Sequence, residues 1–200
     1  MFKQISIIII IFFTLISCNE SFEKLPEKYR SNKYLLKQIK PSSEIEYWQI
    51  DYVTFAYSTQ TFFSSGNSSL KNKIPVPENQ ISGGFFGGGH FIFSYYIIMY
   101  IENDKWKYVI DEDGLTNFIG KIDNEYEAFL ISKINNYSID STSNGNGFIK
   151  TDYGYKLKVM KYNSCPETKE SFIVTVYENG KLKQIKNLGY YLQSGDCIVY

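Results

Sequence analysis

Apolar and polar positions along this chain alternate in short bursts more often than they recur at helical spacing. A period of two marks a strand with one buried face, and a period near 3.6 marks a helix with an apolar stripe. The stretch "IEYWQIDYVTFAYSTQTFF" (45–63) is rich in aromatic and β-branched residues and predicts one long strand or two short ones. Phe91 to Ile101 carries no charge and predicts a central strand covered on both faces, entered through the glycines of "ISGGFFGGG" (81–89). That apolar run falls far short of the roughly 20 residues a membrane helix needs. "ENDK" (102–105) turns the strand into a partner at Trp106–Ile110, which "DEDG" (111–114) then ends. Tyr153, Tyr155, Leu157 and Val159 alternate with Gly154, Lys156 and Lys158, the pattern of a half-exposed strand.

The strongest hairpin signal is "SFIVTVYENGKLKQIKN" (171–187). Asn179-Gly180 accepts the positive φ angles of a two-residue type I′ turn. That register sets Glu178 opposite Lys181 and Tyr177 opposite Leu182. A last strand or a pair, 189–193 and 197–200, finishes the chain.

Helical spacing is clearest over 123–137. Tyr126, Phe129, Leu130, Lys133, Ile134 and Tyr137 fall on one face, with Asp123 or Asn124 as the cap. Glu125 and Glu127 suit the positive end of the helix dipole. A short N-terminal helix within 26–40 groups Leu35, Leu36 and Ile39 and stops at Pro41. Residues 64–80 read as loop, and "NGNG" (144–147) as a flexible break. The expected fold is α+β: a single domain over 44–200, mainly antiparallel sheet, with one clear helix and a possible second at the N-terminus.

The first residues follow another logic. "MFKQISIIIIIFFTLISC" has one early positive charge and a short apolar core, the form of a secretory signal peptide. Its end, Leu15-Ile16-Ser17-Cys18, resembles the lipobox of bacterial lipoproteins, with Ile16 bulkier than the small residue often found there. The resemblance covers residues 1–18 alone. It implies cleavage after residue 17 and a lipid on Cys18, so that the protein is exported and held to the cell envelope at a membrane. Each buried methylene contributes roughly 0.8 kcal/mol, so two or more acyl chains anchor stably. Residues 18–43 are polar and mixed in charge and read as a tether carrying the short helix.

Composition narrows the functions. The chain balances 21 Lys and Arg against 21 Asp and Glu, which argues against a nucleic-acid partner. The 18 Tyr and 15 Phe suit sheet surfaces, and also a stacking face for a glycan or a protein partner. With Cys18 assigned to lipid, Cys165 and Cys197 remain, either as a disulfide of an exported protein or as two separate buried thiols. Residues 150–200 hold eight lysines against five acids, a mild excess that reads as solvated surface.

Catalytic motifs fail by counting. The glycines at 83, 84, 87, 88 and 89 miss the dinucleotide spacing, and a strand follows them. Aligning "DEDG" to a calcium loop puts Val109 first and Gly120 twelfth, where carboxylates are required. A looser calcium site on Asp111 and Asp113 competes with a plain acidic turn. One histidine rules out zinc sites built from several. No metal or cofactor is therefore expected. His90 is a weak candidate for a general base near Ser94 and an acid such as Asp111 or Asp113, weighed against a structural histidine at a strand start. Phe85 and Phe86, held between glycine pairs, read either as core plugs or as the tip of a binding loop. The expected role is a non-catalytic, lipid-anchored binding protein. An immunity or inhibitor lipoprotein and a small envelope hydrolase using His90 are the alternatives.

Overall fold

The computed structural model describes residues 20–54, 58–73, 83–88 and 94–198. Cys18, the signal segment and His90 lie outside the described residues. Within them the chain is mostly antiparallel β-sheet with few helices. In order come a 3-10 turn at Glu27–Arg30, α1 (Asn32–Leu36), β1 (Tyr47–Val53), β2 (Thr59–Gly66), a 3-10 segment at Ser68–Lys73, β3 (Phe85–Gly88), β4 (Ser94–Glu102) and β5 (Lys105–Val109). Then follow α2 (Glu112–Ile119), α3 (Glu125–Ile134), β6 (Gly147–Thr151), β7 (Gly154–Ser164), β8 (Glu167–Tyr177) and β9 (Leu182–Gln193).

β4 is central to the first sheet. β1 pairs along one edge of it, with β2 beyond, while β3 and β5 share the other edge end to end. Both faces of β4 bury side chains: Ile98 in the main core, and Ile97 and Met99 in a smaller cluster on the opposite face. The second sheet is a meander, β6-β7-β8-β9. The helices lie between the sheets. α2 turns Phe118 onto Trp48 and Tyr100 of the first sheet, α3 turns Phe129 onto Phe148 of the second, and one continuous core joins them.

Of its two readings, the 45–63 stretch takes the two-strand one, β1 and the start of β2. Several other expectations change. "DEDG" does not simply end a hairpin; it starts α2. Asp111 caps it by accepting from the Gly114 N–H at 2.6 Å, and Leu115, Phe118 and Ile119 are buried. Among the described residues α2 thus adds to α3 and the short α1, where the sequence marks one clear helix and a possible N-terminal one. For α3 the cap is Asn124, whose Oδ1 accepts from the Glu127 N–H at 2.9 Å. Phe129 and Leu130 are buried as expected, but so is Glu127 on a neighbouring face.

The segment expected as a tether is part of the folded body from Glu23 onward. Leu25, Leu35, Leu36 and Ile39 are all in the main core. "NGNG" is not a loose break but the anchor of that segment: Asn146 accepts from the Leu25 N–H at 2.9 Å and donates to the Leu25 carbonyl at 3.0 Å. An amide side chain here satisfies a backbone pair as a neighbouring strand would.

The 171–187 hairpin is shifted by one residue. Val176 pairs Leu182, and Tyr177 donates to the Lys181 carbonyl. The loop is therefore Glu178-Asn179-Gly180, with only Gly180 at positive φ (+75°), the three-residue turn ending in a glycine bulge. Tertiary bonds account for the change: the Glu178 N–H donates to Tyr153, and its carbonyl accepts from Ile122. The type I′ turn occurs instead at Asn103-Asp104, φ +53° and +57°, between the paired Glu102 and Lys105. β9 is one strand through residue 193, and the described segment after it docks on the β7–β8 turn, Ile198 donating to Ser164; residues 199–200 lie outside the described residues.

Candidate functional site

β1 alternates strictly. Trp48 and Ile50 enter the core, so Tyr47, Gln49, Asp51 and Val53 point to the outward face of the first sheet. Register fills in the rest of that face. Asp51 lies opposite Thr61 and Ile97, Gln49 opposite Ser64 and Met99, and Val53 opposite Tyr95. Ile101 and Met99 in turn oppose Trp106 and Tyr108 of β5. The result is a row of aromatic rings, Tyr47, Tyr95, Trp106 and Tyr108, around a polar centre.

That centre is a chain of hydrogen bonds. The Tyr47 hydroxyl donates to Gln49 Oε1 at 2.9 Å. Gln49 Nε2 donates to both Asp51 oxygens, at 3.0 and 2.8 Å, with Thr61 Oγ1 at 3.3 Å and Met99 Sδ at 3.9 Å. Gln49 is 3% exposed and Asp51 2%. No Lys or Arg pairs with Asp51 among the described residues. Burial pushes the Tyr47 phenol up, with Asp51 adding to the rise and a bond to Ser64 opposing it. Tyr47, Gln49 and Asp51 are all buried, so this hydroxyl, amide and carboxylate in series bond to one another beneath the face.

A second buried carboxylate serves the fold. Asp140, 5% exposed, accepts from Ser141 N–H at 2.6 Å, Thr142 Oγ1 at 3.0 Å, Tyr191 hydroxyl at 2.7 Å and Lys169 Nζ at 3.3 Å. Burial alone raises its carboxyl, but these donors outweigh it and hold it at about 2. All its acceptor sites are used, and it pins the 140–146 loop to β8 and β9.

The residues singled out from sequence fall in separate places. Phe85 is a core plug, fully buried and stacked with Tyr96 at 6.4 Å between centroids. Phe86 meets it edge-on at 5.7 Å, half-buried, at φ +52°, and its N–H donates to Glu112 at 3.4 Å. The two rings belong to the core side of β3. Ser94 begins β4. Asp111 spends its carboxylate on the α2 cap, and Asp113 sits exposed in the first turn of that helix. Among the described residues no group of three or more His, Cys, Asp or Glu is placed to hold a metal. Cys165 and Cys197 are joined as a disulfide, with Cα atoms 4.2 Å apart, closing 32 residues of sequence. Among the described residues no helix is long and apolar enough to cross a membrane. The Gln49–Asp51 centre was missed from sequence, although its signal, two polar residues on one face of an aromatic strand, is legible in "YWQIDYV".

No protein family, curated protein or solved structure matches the chain.

Proposed function

We propose that this chain is an exported, lipid-anchored envelope protein with an α+β body that binds a protein or glycan ligand without transforming it. The anchor is Cys18, by its resemblance to a lipobox cysteine. The ligand face is the outward face of the first sheet. The observation that carries this reading is the aromatic row of Tyr95, Trp106 and Tyr108 on that face, with Tyr108 37% exposed and the buried Gln49–Asp51 pair beside it. Sugar rings and apolar protein side chains stack on such rings. The Cys165–Cys197 disulfide supports export, because such bonds persist in oxidising compartments.

The test compares the wild-type lipoprotein with Tyr108→Ala on a glycan array and in pull-downs from envelope extract. A ligand captured by the wild type and lost in a folded Tyr108→Ala variant supports the reading. Equal capture by both, or nonspecific capture alone, refutes it.

A further inference from the structure

The outward face of the second sheet is fixed by register. Lys156 opposes Thr175, which opposes Lys183; Lys158 opposes Ile173, which opposes Lys186. The neighbouring residues Tyr155, Leu157, Phe172, Val174 and Val176 point the other way, into the core. Two adjacent rows therefore place four lysines on one face, and no carboxylate stands in either row. Lys183 and Lys186 are exposed and make no ion pair among the described residues. In a chain with 21 basic and 21 acidic residues, this is a local positive excess. The far end of the same face is closed by the 140–146 loop, through Asp140 to Lys169 and Asn144 to Ser171.

The N-terminal segment runs along this face. Phe22 packs over Gly147, where a Cβ would stand 2.8 Å from Phe22 Cβ, and Gly147 opposes Lys158. Lys158 Nζ lies 4.9 Å from the centre of the Phe22 ring, and Lys156 is ion-paired with Glu20. Cys18 is two residues before Glu20, and two residues reach at most about 7 Å. Acyl chains on Cys18 thus enter a bilayer within reach of the lysine rows.

We propose that the outward face of the second sheet lies against the bilayer, with Lys158, Lys183 and Lys186 on the phosphates of anionic phospholipids and Lys156 held by Glu20. This rests on Cys18 being the lipid anchor. A single attachment point leaves the body free to tumble, and a basic patch beside it fixes one orientation on an anionic surface. Ile185 and Leu188, exposed at bulges of β9 next to Lys186, suit the headgroup boundary. With the helices between the two sheets, this orientation turns the Gln49–Asp51 face away from the membrane and toward a ligand.

The test uses the full lipoprotein reconstituted in vesicles of phosphatidylcholine alone or with 30% phosphatidylglycerol. Amines are acetylated briefly, and each lysine's rate is read by mass spectrometry, with the N-terminal peptide reporting lipid on Cys18. Lys183 and Lys186 should react several-fold more slowly on the anionic vesicles, on the order of 5-fold per engaged lysine. Lys71 and Lys105, outside this face, should be unchanged, and 0.5 M salt should abolish the difference at roughly a 4 Å screening length. In Lys183→Glu/Lys186→Glu, Lys158 should label equally on both vesicles. Lipid on Cys18 with equal rates on both vesicles, or with Lys71 and Lys105 slowed alike, overturns the orientation alone. An unmodified Cys18 overturns the anchor and the orientation together.

Discussion

Glu127 links the N-terminal segment to α3, and its titration should set the pH dependence of stability. The side chain is fully buried. Its Oε1 accepts from the Lys40 N–H at 2.8 Å and its Oε2 from the Asp123 N–H at 3.0 Å. Burial pushes its carboxyl up to about 7, more than the two backbone donors pull it down, and the nearby Asp123 charge adds to the rise. The displacement from 4.5 corresponds to about 3 kcal/mol at 1.36 kcal/mol per unit, an upper bound. The folded value lies above the unfolded one, so the folded protein holds a proton that the unfolded chain has released. The Glu127 contribution is complete below about pH 4.5 and falls by about 1.4 kcal/mol per pH unit until about pH 7. Lys133, lowered by burial to about 8, acts in the opposite sense at higher pH. There the unfolded chain holds the extra proton, so stability rises again from about pH 8. Urea unfolding at half-unit steps from pH 4.5 to 9.5 should show a minimum between pH 7 and 8. Glu127→Gln is the discriminating variant. It should be destabilised at pH 5 by roughly 1–3 kcal/mol, since its amide end cannot accept one of the two N–H groups. It should also lose most of the slope between pH 5 and 7. A wild-type profile that is flat there, or an unaltered slope in Glu127→Gln, refutes the reasoning.

Three further outcomes follow from named contacts. Replacing both Cys165 and Cys197 by Ser should cost about 3–4 kcal/mol in the chain-entropy account, read as a lowered urea midpoint that reductant reproduces in the wild type. Phe85→Ala should lose about 3–5 kcal/mol from a sealed core site, and Phe86→Ala clearly less, compared by denaturant unfolding. Asp51→Asn should leave stability within about 1 kcal/mol of wild type or raise it, since it removes an unpaired buried charge while keeping one bond to Gln49; a large loss would show Asp51 to be structural.

The parts of the fold that read well from sequence are those governed by local periodicity. β7 follows from Tyr155, Leu157 and Val159, and α3 from Phe129 and Leu130, because each pattern has only one way to bury its apolar face. Leu35, Leu36 and Ile39 were grouped correctly, yet what they pack against lies far along the chain, so their segment looked like a tether. α2 was hidden by Gly114, Thr116 and Asn117, weak helix formers whose helix depends on the Asp111 cap and on core packing. The 178–180 turn was misread because Asn179-Gly180 favours one geometry locally, while Tyr153 and Ile122 claim the Glu178 backbone for another. The Gln49–Asp51 centre was half legible. Alternation places both residues on one face, but their burial depends on tertiary cover that no local pattern reports. Asp140 gave no signal, since its partners Lys169 and Tyr191 come from two distant strands.

The central claim is a protein held to the envelope by lipid on Cys18, with its body folded from Glu23 onward. The most direct measurement is the intact mass of the mature protein from membranes, together with that of Cys18→Ala. The wild-type chain is expected to begin at residue 18 and carry the added mass of at least two acyl chains, and the Cys18→Ala protein to carry none. A wild-type chain with an unmodified Cys18, whether cleaved or retaining residues 1–17, contradicts it.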